Sequence, residues 1–450
     1  MTDFAAIDAF IRANIPKSIS ELRELCGVPS VSSRHQSIEE CASLVASMLR
    51  QRGFVVEVLP TDGGHPVVLG HVTGANPSRR LLFYNHYDVQ PPEPLDLWNS
   101  PPFDLVERDG AVFARGSKDD KGEFVCRLAA LDAVRAVTGF YPCDMVWLAE
   151  GEEEIGSPHL PSWIADHWDR LEADAAIWEE GGTEVDETPV VRLGARGLLY
   201  VELSVRSIPR DAHSGQANLL PNAAWRLVWA LASIKGLDER VLIPGFYDDV
   251  RPPSPRQEEL LLALPSNAAD IRTEFDLAEL LGGTREVDRA YFSPTCNIAG
   301  LVAGHQGEGT KTVIPAQALA KLDFRLVPDQ KPNDIVAKLR THLDVSGFKD
   351  VQIETLAAEP PGVTDADASI VKLTAEIGLE IYGKPARITP FTGGTTPMYL
   401  FTERGIPVVA PGVGWGTKNR AHSPNEFMRL KDFERAARHI ARLAIRFAET

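Results

Sequence analysis

The 450-residue chain has few of the residues that mark secreted or membrane-bound proteins. Its five cysteines are odd in number and form no C-x-x-C pair. Such usage favours a reducing compartment over a disulfide framework. No run reaches the roughly 18 apolar residues of a transmembrane helix, and Met1-Thr2-Asp3-Phe4 lacks the basic segment of a secretory signal. We therefore expect a cytoplasmic protein that does not engage a membrane.

Positive charge is also scarce in this chain. Its 46 basic side chains face 63 acidic ones, which gives a formal net charge of −17. A protein this acidic is repelled by phosphate backbones and anionic lipid, so nucleic acid is not an expected partner.

The length and the order of predicted elements indicate two domains. A chain of this size exceeds what one hydrophobic core usually serves. Predicted strands and helices alternate to about residue 194, which is typical of an α/β fold with a mostly parallel sheet and helices on both faces. A smaller α+β set is predicted over 195–360, including a proline-rich, acidic insertion at 244–288. The first domain should therefore comprise 1–194 and 361–450.

A histidine and an aspartate follow the predicted strand at 80–85. The segment reads His86-Tyr87-Asp88. Residues two apart in a strand share a face, so Asp88 can accept the spare imidazole N–H of His86 and fix its tautomer. The alternative interpretation is a surface turn with an ordinary histidine.

Three other predicted strands also end near acids or a histidine. The strand at 143–149 runs into Glu150-Gly151-Glu152-Glu153-Glu154, the strand at 174–178 into Glu179, and the apolar run 406–410 leads through a glycine-rich loop to His422. Like charges gathered at one sheet edge repel unless cations neutralise them. Carboxylate and imidazole ligands without nearby thiols suit zinc, manganese or cobalt at a catalytic site.

Taken together, these motifs resemble a known family over nearly the whole chain. It is the co-catalytic zinc exopeptidase family, which includes carnosinase-type dipeptidases, glutamate carboxypeptidase, aminoacylase, and the acetylornithine and succinyl-diaminopimelate deacylases. The motifs that carry the resemblance are His86-x-Asp88, Ala114-Arg115-Gly116-Ser117-Lys118-Asp119-Asp120-Lys121-Gly122, Glu150-Gly151-Glu152-Glu153-Glu154-Ile155-Gly156-Ser157, Glu179, Asp211-Ala212-His213-Ser214-Gly215 and His422.

The resemblance implies two divalent metal ions, zinc by preference, with manganese or cobalt as alternatives. Asp119 would bridge them. His86 and Glu179 would complete one site, and Glu154 with His422 the other.

The same resemblance implies the catalytic residues. Glu153 would act as general base towards a metal-bridged water, and Asp88 would orient His86. His213 would reach the neighbouring subunit's active site in a homodimer formed through the inserted lid domain. A cis peptide bond is implied between Asp119 and Asp120.

Substrate-binding residues leave fainter marks. The resemblance implies that Arg325 clamps the substrate's terminal carboxylate, although the arginine could instead pair with Asp323 on the surface. Asn297 is a second candidate. Gly394 and Thr395 precede a predicted helix and could hold a carboxylate at its N-terminus, although an ordinary glycine turn is the alternative.

The expected function is metal-dependent hydrolysis of the amide bond of dipeptides or similar small substrates with a free carboxylate. The nearest alternative is an N-acyl amino acid deacylase of the aminoacylase or desuccinylase type. Glu179 leaves this choice open, because carnosinase-type enzymes usually carry aspartate there. Lys118 also departs from the family, which more often has a small residue. A non-catalytic binding protein of the same fold is a third alternative.

Overall fold

A computed structural model describes residues 2–179, 181–281 and 291–450. The chain forms two compact units. Unit 1 comprises Met1–Leu193, Thr364–Thr389 and Leu400–Thr450, and unit 2 comprises Gly194–Val363 and Pro390–Tyr399. The chain therefore enters unit 2 twice, and the second visit, over ten residues, was not anticipated from the sequence.

The helices and strands follow in chain order. The helices are α1 (Phe4–Cys26), α2 (Ile38–Gln51), α3 (Lys121–Thr138), α4 (Leu160–Asp166), α5 (Trp168–Leu171), α6 (Ala223–Ile234), α7 (Pro255–Ala263), α8 (Ala268–Glu274), α9 (Pro332–Val345), α10 (Ser369–Tyr382), α11 (Tyr399–Thr402) and α12 (Leu430–Ala448). The strands are β1 (Val55–Leu59), β2 (Val67–Val72), β3 (Asn76–His86), β4 (Val106–Arg108), β5 (Ala111–Phe113), β6 (Cys143–Glu150), β7 (Ala175–Ile177), β8 (Gly182–Thr183), β9 (Pro189–Arg192), β10 (Gly194–Ala195), β11 (Gly197–Arg206), β12 (Ala212–His213), β13 (Asn297–Ala303), β14 (Val313–Ile314), β15 (Gln317–Leu326), β16 (Gln352–Glu359), β17 (Gly362–Val363), β18 (Arg387–Thr389), β19 (Val408–Val409), β20 (Gly414–Trp415) and β21 (Phe427–Arg429).

Unit 1 is built around a six-stranded sheet with the order β1-β2-β6-β3-β7-β19. Strands β6, β3, β7 and β19 are mutually parallel, whereas β1 and β2 pair antiparallel at one edge. The α/β prediction with an inserted α+β domain is confirmed. The antiparallel edge makes the sheet mixed.

Aromatic side chains cover both faces of this sheet. Phe83 stacks on Trp147 with ring centroids 4.9 Å apart, and Phe124 of α3 packs edge-on against the same indole. The next residue along β3, Tyr84, stacks on Trp178 at 3.7 Å. Adjacent residues of a strand point to opposite faces. The central strands are therefore buried on both sides, which explains their continuous apolar character.

A three-stranded sheet, β21-β5-β4, lies beside the central one in unit 1. Strands β5 and β21 are antiparallel, with Phe427 opposite Phe113. This pairing aligns the chain that follows residue 422 with the chain that leads to residue 119.

Unit 2 contains a four-stranded antiparallel sheet with the order β13-β15-β11-β16. Alternate residues of β11 are buried, among them Leu199, Val201 and Leu203, and they share one core with apolar residues of α6 and α9. The two-stranded pairs β10-β17 and β12-β14 complete the unit. The described part of the predicted insertion contains α7 and α8, and residues 282–288 of it lie outside the described residues.

None of the helices in the described ranges combines the length and the apolar composition that crossing a bilayer requires.

His439 is a buried titratable group of α12 and gives the fold a pH dependence. Burial lowers its pKa from 6.5 to about 4, so between these values the unfolded chain binds a proton that the folded protein excludes. Stability should rise with pH through this window and fall by up to about 3 kcal/mol on acidification.

We expect His439→Gln to remove this part of the pH dependence, because glutamine does not titrate. Urea unfolding of chelator-treated protein at pH 5 and pH 7.5 measures it. The exposed His305→Gln is the matched control and should behave as wild type. An unchanged pH slope in the His439 variant would contradict the assignment.

Candidate metal centre

The parallel strands of unit 1 end at a common edge, and the predicted site residues gather there. His86 is the last residue of β3, and Glu179 lies two residues beyond β7. A single helical turn, Glu153–Ile155, follows β6. Asp119 stands just before α3. In an open α/β sheet, ligands commonly bind at the carboxyl ends of the strands.

One cluster joins His86, Asp119 and Glu179. His86 Nε2 lies 3.1 Å from Asp119 Oδ1 and 3.8 Å from Glu179 Oε2. At most 5% of any of the three side chains is exposed.

A second cluster joins Asp119, Glu154 and His422. His422 Nε2 lies 3.1 Å from Asp119 Oδ2 and 3.1 Å from Glu154 Oε2. Asp119 thus presents one carboxylate oxygen to each histidine. The His422 side chain is 56% exposed, so this cluster opens to solvent.

Asp88 lies against His86 as the sequence interpretation required. Asp88 Oδ1 is 3.3 Å and its backbone carbonyl oxygen 3.1 Å from His86 Nδ1. Asp88 Oδ2 accepts a hydrogen bond from the backbone N–H of Glu154 at 3.1 Å. One carboxylate therefore supports both the imidazole and the turn that carries Glu154. The bond between Asp119 and Asp120 is cis, as the resemblance implied.

The charges of the cluster shift its titrations strongly. Burial alone would raise the pKa of Asp119, but Lys118, His422 and His86 lower it well below its usual range. Hydrogen bonds to Asp119 and Glu154 raise the pKa of His422 to about 10. In the absence of a cation, protons on the imidazoles thus neutralise part of the carboxylate charge.

Glu153 belongs to neither cluster, but charged residues of both clusters shift its pKa. Burial, and after it the carboxylates of Glu154 and Asp119, raises the pKa of Glu153 well above its usual range, although His86 acts in the opposite direction. A carboxylate whose pKa is raised is a stronger base than an exposed one, which is the property that a general base requires.

The donor set fits divalent cations. Ligand atoms of His86, Asp119 and Glu154 all lie within 4.8 Å of one another, and so do those of His86, Asp120 and Glu179. Imidazole and carboxylate donors without thiolate suit a catalytic rather than a closed structural metal site.

Asp120 is a member of this neighbourhood to which the sequence interpretation gave no role. Its Oδ2 accepts hydrogen bonds from Asn85 Nδ2 at 2.5 Å and from the backbone N–H of His86 at 3.2 Å. Burial raises its pKa to about 6. These bonds fix the end of β3, so Asp120 supports the backbone of His86 while Asp88 supports its ring. Its position beside Asp119 was the available signal.

The predicted residues of unit 2 form separate, more exposed groups. His213 Nδ1 accepts from the backbone N–H of Gly215 at 3.0 Å, and its Nε2 lies 3.2 Å from Thr312 Oγ1. Asn297 Nδ2 donates to Asp323 Oδ2 at 2.8 Å. Asp323 is thereby engaged by the asparagine and not by Arg325.

Arg325 Nη1 donates to Thr395 Oγ1 at 2.8 Å. Burial raises the pKa of Glu359, and the positive charge of Arg325 opposes that rise. The neighbouring Gly394 uses its carbonyl to accept from the backbone N–H of Arg196 at 3.1 Å. Arg325, Gly394 and Thr395 therefore lie together within unit 2.

The helix expected directly after Thr396 differs from the prediction. Helix α11 begins only at Tyr399 and has four residues. It is too short and too far along the chain to present its N-terminus beside Gly394 and Thr395, so any anion contact there must come from their own backbone and hydroxyl groups.

Comparison with known proteins places these motifs in a family context. The model of peptidase family M20/M25/M40 matches residues 82–446. The Cys-Gly metallodipeptidase dug1 of Schizosaccharomyces pombe is 27% identical, over 92% of this chain and 92% of its own length. Among solved structures, the M20 family metallo-carboxypeptidase Sso-CP2 of Sulfolobus solfataricus is 34% identical, with a TM-score of 0.90 over 96% of this chain and 99% of its own. Human carnosine dipeptidase 1 shares the fold, with a TM-score of 0.78, 24% identity and full coverage of both chains.

Proposed function

The chain belongs to peptidase family M20/M25/M40, and on that premise we propose that it hydrolyses the amide bond of dipeptides or similar small substrates with a free carboxylate. The observation that carries the proposal is the position of Asp119 between His86 and His422, with one oxygen 3.1 Å from each imidazole.

Two divalent cations are the proposed cofactors, zinc by preference, with manganese or cobalt as alternatives. Asp119 would bridge them, His86 and Glu179 would hold one, and Glu154 and His422 the other. Such a pair lowers the pKa of a shared water and stabilises negative charge that develops on the substrate.

The proton transfers fall to Glu153. Its carboxylate would accept a proton as the water attacks and would donate it to the leaving amine, because burial raises its pKa and so makes it a stronger base than an exposed glutamate. Asp88 would keep His86 oriented throughout, since it contacts Nδ1 and leaves Nε2 for the cation.

Substrate binding is assigned to residues of unit 2. The guanidinium of Arg325, supported by Thr395, offers the planar fork that suits a terminal carboxylate. The backbone at Gly394 and the Asn297 amide are further candidates for contacts with the substrate. His213 would polarise the scissile carbonyl of a substrate bound by the partner subunit.

A homodimer through unit 2 is therefore part of the proposal. Strand β13 is an edge strand, with Leu301 and Val302 about half exposed. On α6, the half-exposed indoles of Trp225 and Trp229 stack with centroids 5.9 Å apart. An open strand edge beside exposed aromatic rings favours a two-fold contact with a second copy.

Unit 1 would accordingly be the catalytic domain, and unit 2 the lid and dimerisation domain. All five cysteines are buried free thiols, which supports the proposed cytoplasmic location.

A second candidate is carboxypeptidase activity on longer peptides. It is favoured by the 34% identity to the Sulfolobus solfataricus metallo-carboxypeptidase. Both activities require the same metal centre and the same recognition of a free C-terminal carboxylate.

A substrate panel tests the proposed function. Metal-loaded protein should cleave unblocked dipeptides. It should cleave the same dipeptides far more slowly when their C-terminus is amidated, because Arg325 then lacks a carboxylate partner. Arg325→Ala should raise KM for unblocked dipeptides about tenfold or more, as loss of a charge-assisted bidentate contact predicts. The matched control Arg206→Ala changes another arginine of unit 2. Faster cleavage of N-acetyl amino acids than of any peptide would favour the deacylase instead.

Glu153 and Glu154 are adjacent carboxylates with different proposed roles. We expect Glu153→Gln to retain two metal ions and lose at least about a hundredfold in kcat, as removal of a general base predicts. Glu154→Gln should lose metal as well as rate, because it removes a ligand. Elemental analysis after gel filtration, together with kinetics, separates the two. Full activity in the Glu153 variant would refute its role as base.

Mixed dimers test the role of His213. His213→Ala should lower kcat while the metal content stays normal. The exposed control His305→Ala should not lower kcat. Co-expression of His213→Ala and Glu153→Gln subunits should restore about a quarter of wild-type turnover, because half the dimers are mixed and one site in each is intact. No recovery would show that His213 does not serve the opposite subunit.

A further inference from the structure

Glu426 is a fully buried carboxylate beside the candidate metal centre. Its Oε1 accepts hydrogen bonds from the backbone N–H groups of Lys118 at 2.9 Å and Asp119 at 3.1 Å. Its Oε2 accepts from the backbone N–H of Gly116 at 3.1 Å. Three peptide groups of the loop that carries Asp119 therefore converge on one side chain.

Arg115 neutralises this carboxylate. Arg115 Nη1 donates to Glu426 Oε2 at 2.8 Å, and both side chains are at most 1% exposed. Its Nη2 donates to the backbone carbonyl of Pro91 at 3.2 Å. A buried carboxylate is costly unless it is paired and hydrogen-bonded, and here both conditions are met.

The position of Glu426 in the chain links it to His422. The two residues are four apart, and Asn425 between them is anchored by a bond from its Nδ2 to the backbone carbonyl of Leu97 at 2.7 Å. His422 has a positive φ of 60° and a half-exposed side chain. The position of His422 thus depends more on the turn that Asn425 and Glu426 anchor than on packing of its own ring.

We propose that Glu426 is a positioning residue of the metal centre, because it ties the backbone of Asp119 to the turn that carries His422. The inference rests on the proposed function, since it presupposes cations between these two residues. Asp119 comes from the loop before α3 and His422 from the loop before β21, more than 300 residues apart in the chain. Glu426 belongs to the second loop, and its carboxylate accepts hydrogen bonds from three backbone N–H groups of the first loop.

An exclusively structural role predicts something different. The buried ion pair would then stabilise unit 1 without affecting metal affinity. Asp8 and Arg442 provide the matched control, because Asp8 accepts from Arg442 Nη1 at 2.7 Å and from Nη2 at 3.0 Å, and both residues are buried.

Zinc titration of the chelator-stripped full-length protein tests the inference. Equilibrium dialysis with zinc chloride should show that Glu426→Gln raises the Kd of the more weakly held ion about 10–100-fold, the usual effect of losing support behind a metal ligand. Asp8→Asn should lower the melting temperature of the metal-free protein and leave both zinc affinities unchanged. Glu426→Asp is the second variant, because it keeps the charge that folding needs while its shorter arm cannot reach all four donors.

In Glu426→Asp, we expect weakened zinc binding, kcat restored by excess zinc, and an unchanged KM. Zinc affinities equal to wild type in the folded Glu426 variants would overturn this inference alone. A wild-type protein that took up neither zinc nor manganese nor cobalt would overturn both the inference and the proposed function.

Discussion

The mutual repulsion of buried carboxylates around Asp119 is the constraint that organises unit 1. Asp88, Asp120, Glu153, Glu154 and Glu179 lie in the same neighbourhood, and the two nearby imidazoles can offset only part of their charge. Burial, and after it the neighbouring carboxylates, raises the pKa of Glu153, whereas Lys118 and the two imidazoles hold the pKa of Asp119 well below its usual range. Divalent cations relieve this repulsion without protons, so metal binding and stability of the cluster should be linked.

Most of the candidate metal ligands lie on rigid elements, and hydrogen bonds from neighbouring residues hold them in place. His86 ends a strand that is buried on both faces, and Asp88 contacts its ring while Asp120 accepts a hydrogen bond from its backbone N–H. Asp119 precedes a long buried helix, and Glu426 holds its loop. His422 alone is half exposed and stands on a turn. The position of His86 and Asp119 is therefore fixed by rigid elements, whereas that of His422 depends on the few hydrogen bonds that anchor its turn.

Much of this arrangement could be predicted from sequence, because strand ends and charged motifs are local signals. The apolar run before His86 and the acidic cluster after β6 indicated both the sheet and its functional edge. The second entry of the chain into unit 2 at Pro390–Tyr399 left no comparable signal, since it depends on contacts between distant segments. The same holds for the bonds of Glu426, whose donors lie more than 300 residues away.

The prediction was least accurate where the helical pattern of apolar residues covered only a short segment. The sequence predicts a helix directly after Gly394 and Thr395. The chain instead forms a four-residue helix that begins at Tyr399. Glycine and threonine signal a turn reliably, but the element that follows is decided by tertiary packing. The proposed carboxylate-binding role of this segment therefore rests on the hydrogen bond between Arg325 and Thr395, which the alternating pattern of β15 does not predict.

The central claim is that Asp119 holds two cations at once. Anomalous diffraction from zinc-loaded crystals, recorded on both sides of the zinc absorption edge, measures this directly. The account predicts two zinc peaks about 3.5–4 Å apart, one beside His86 and Glu179 and the other beside Glu154 and His422, with Asp119 contacting both. A single peak, or peaks that Asp119 does not contact, would contradict it.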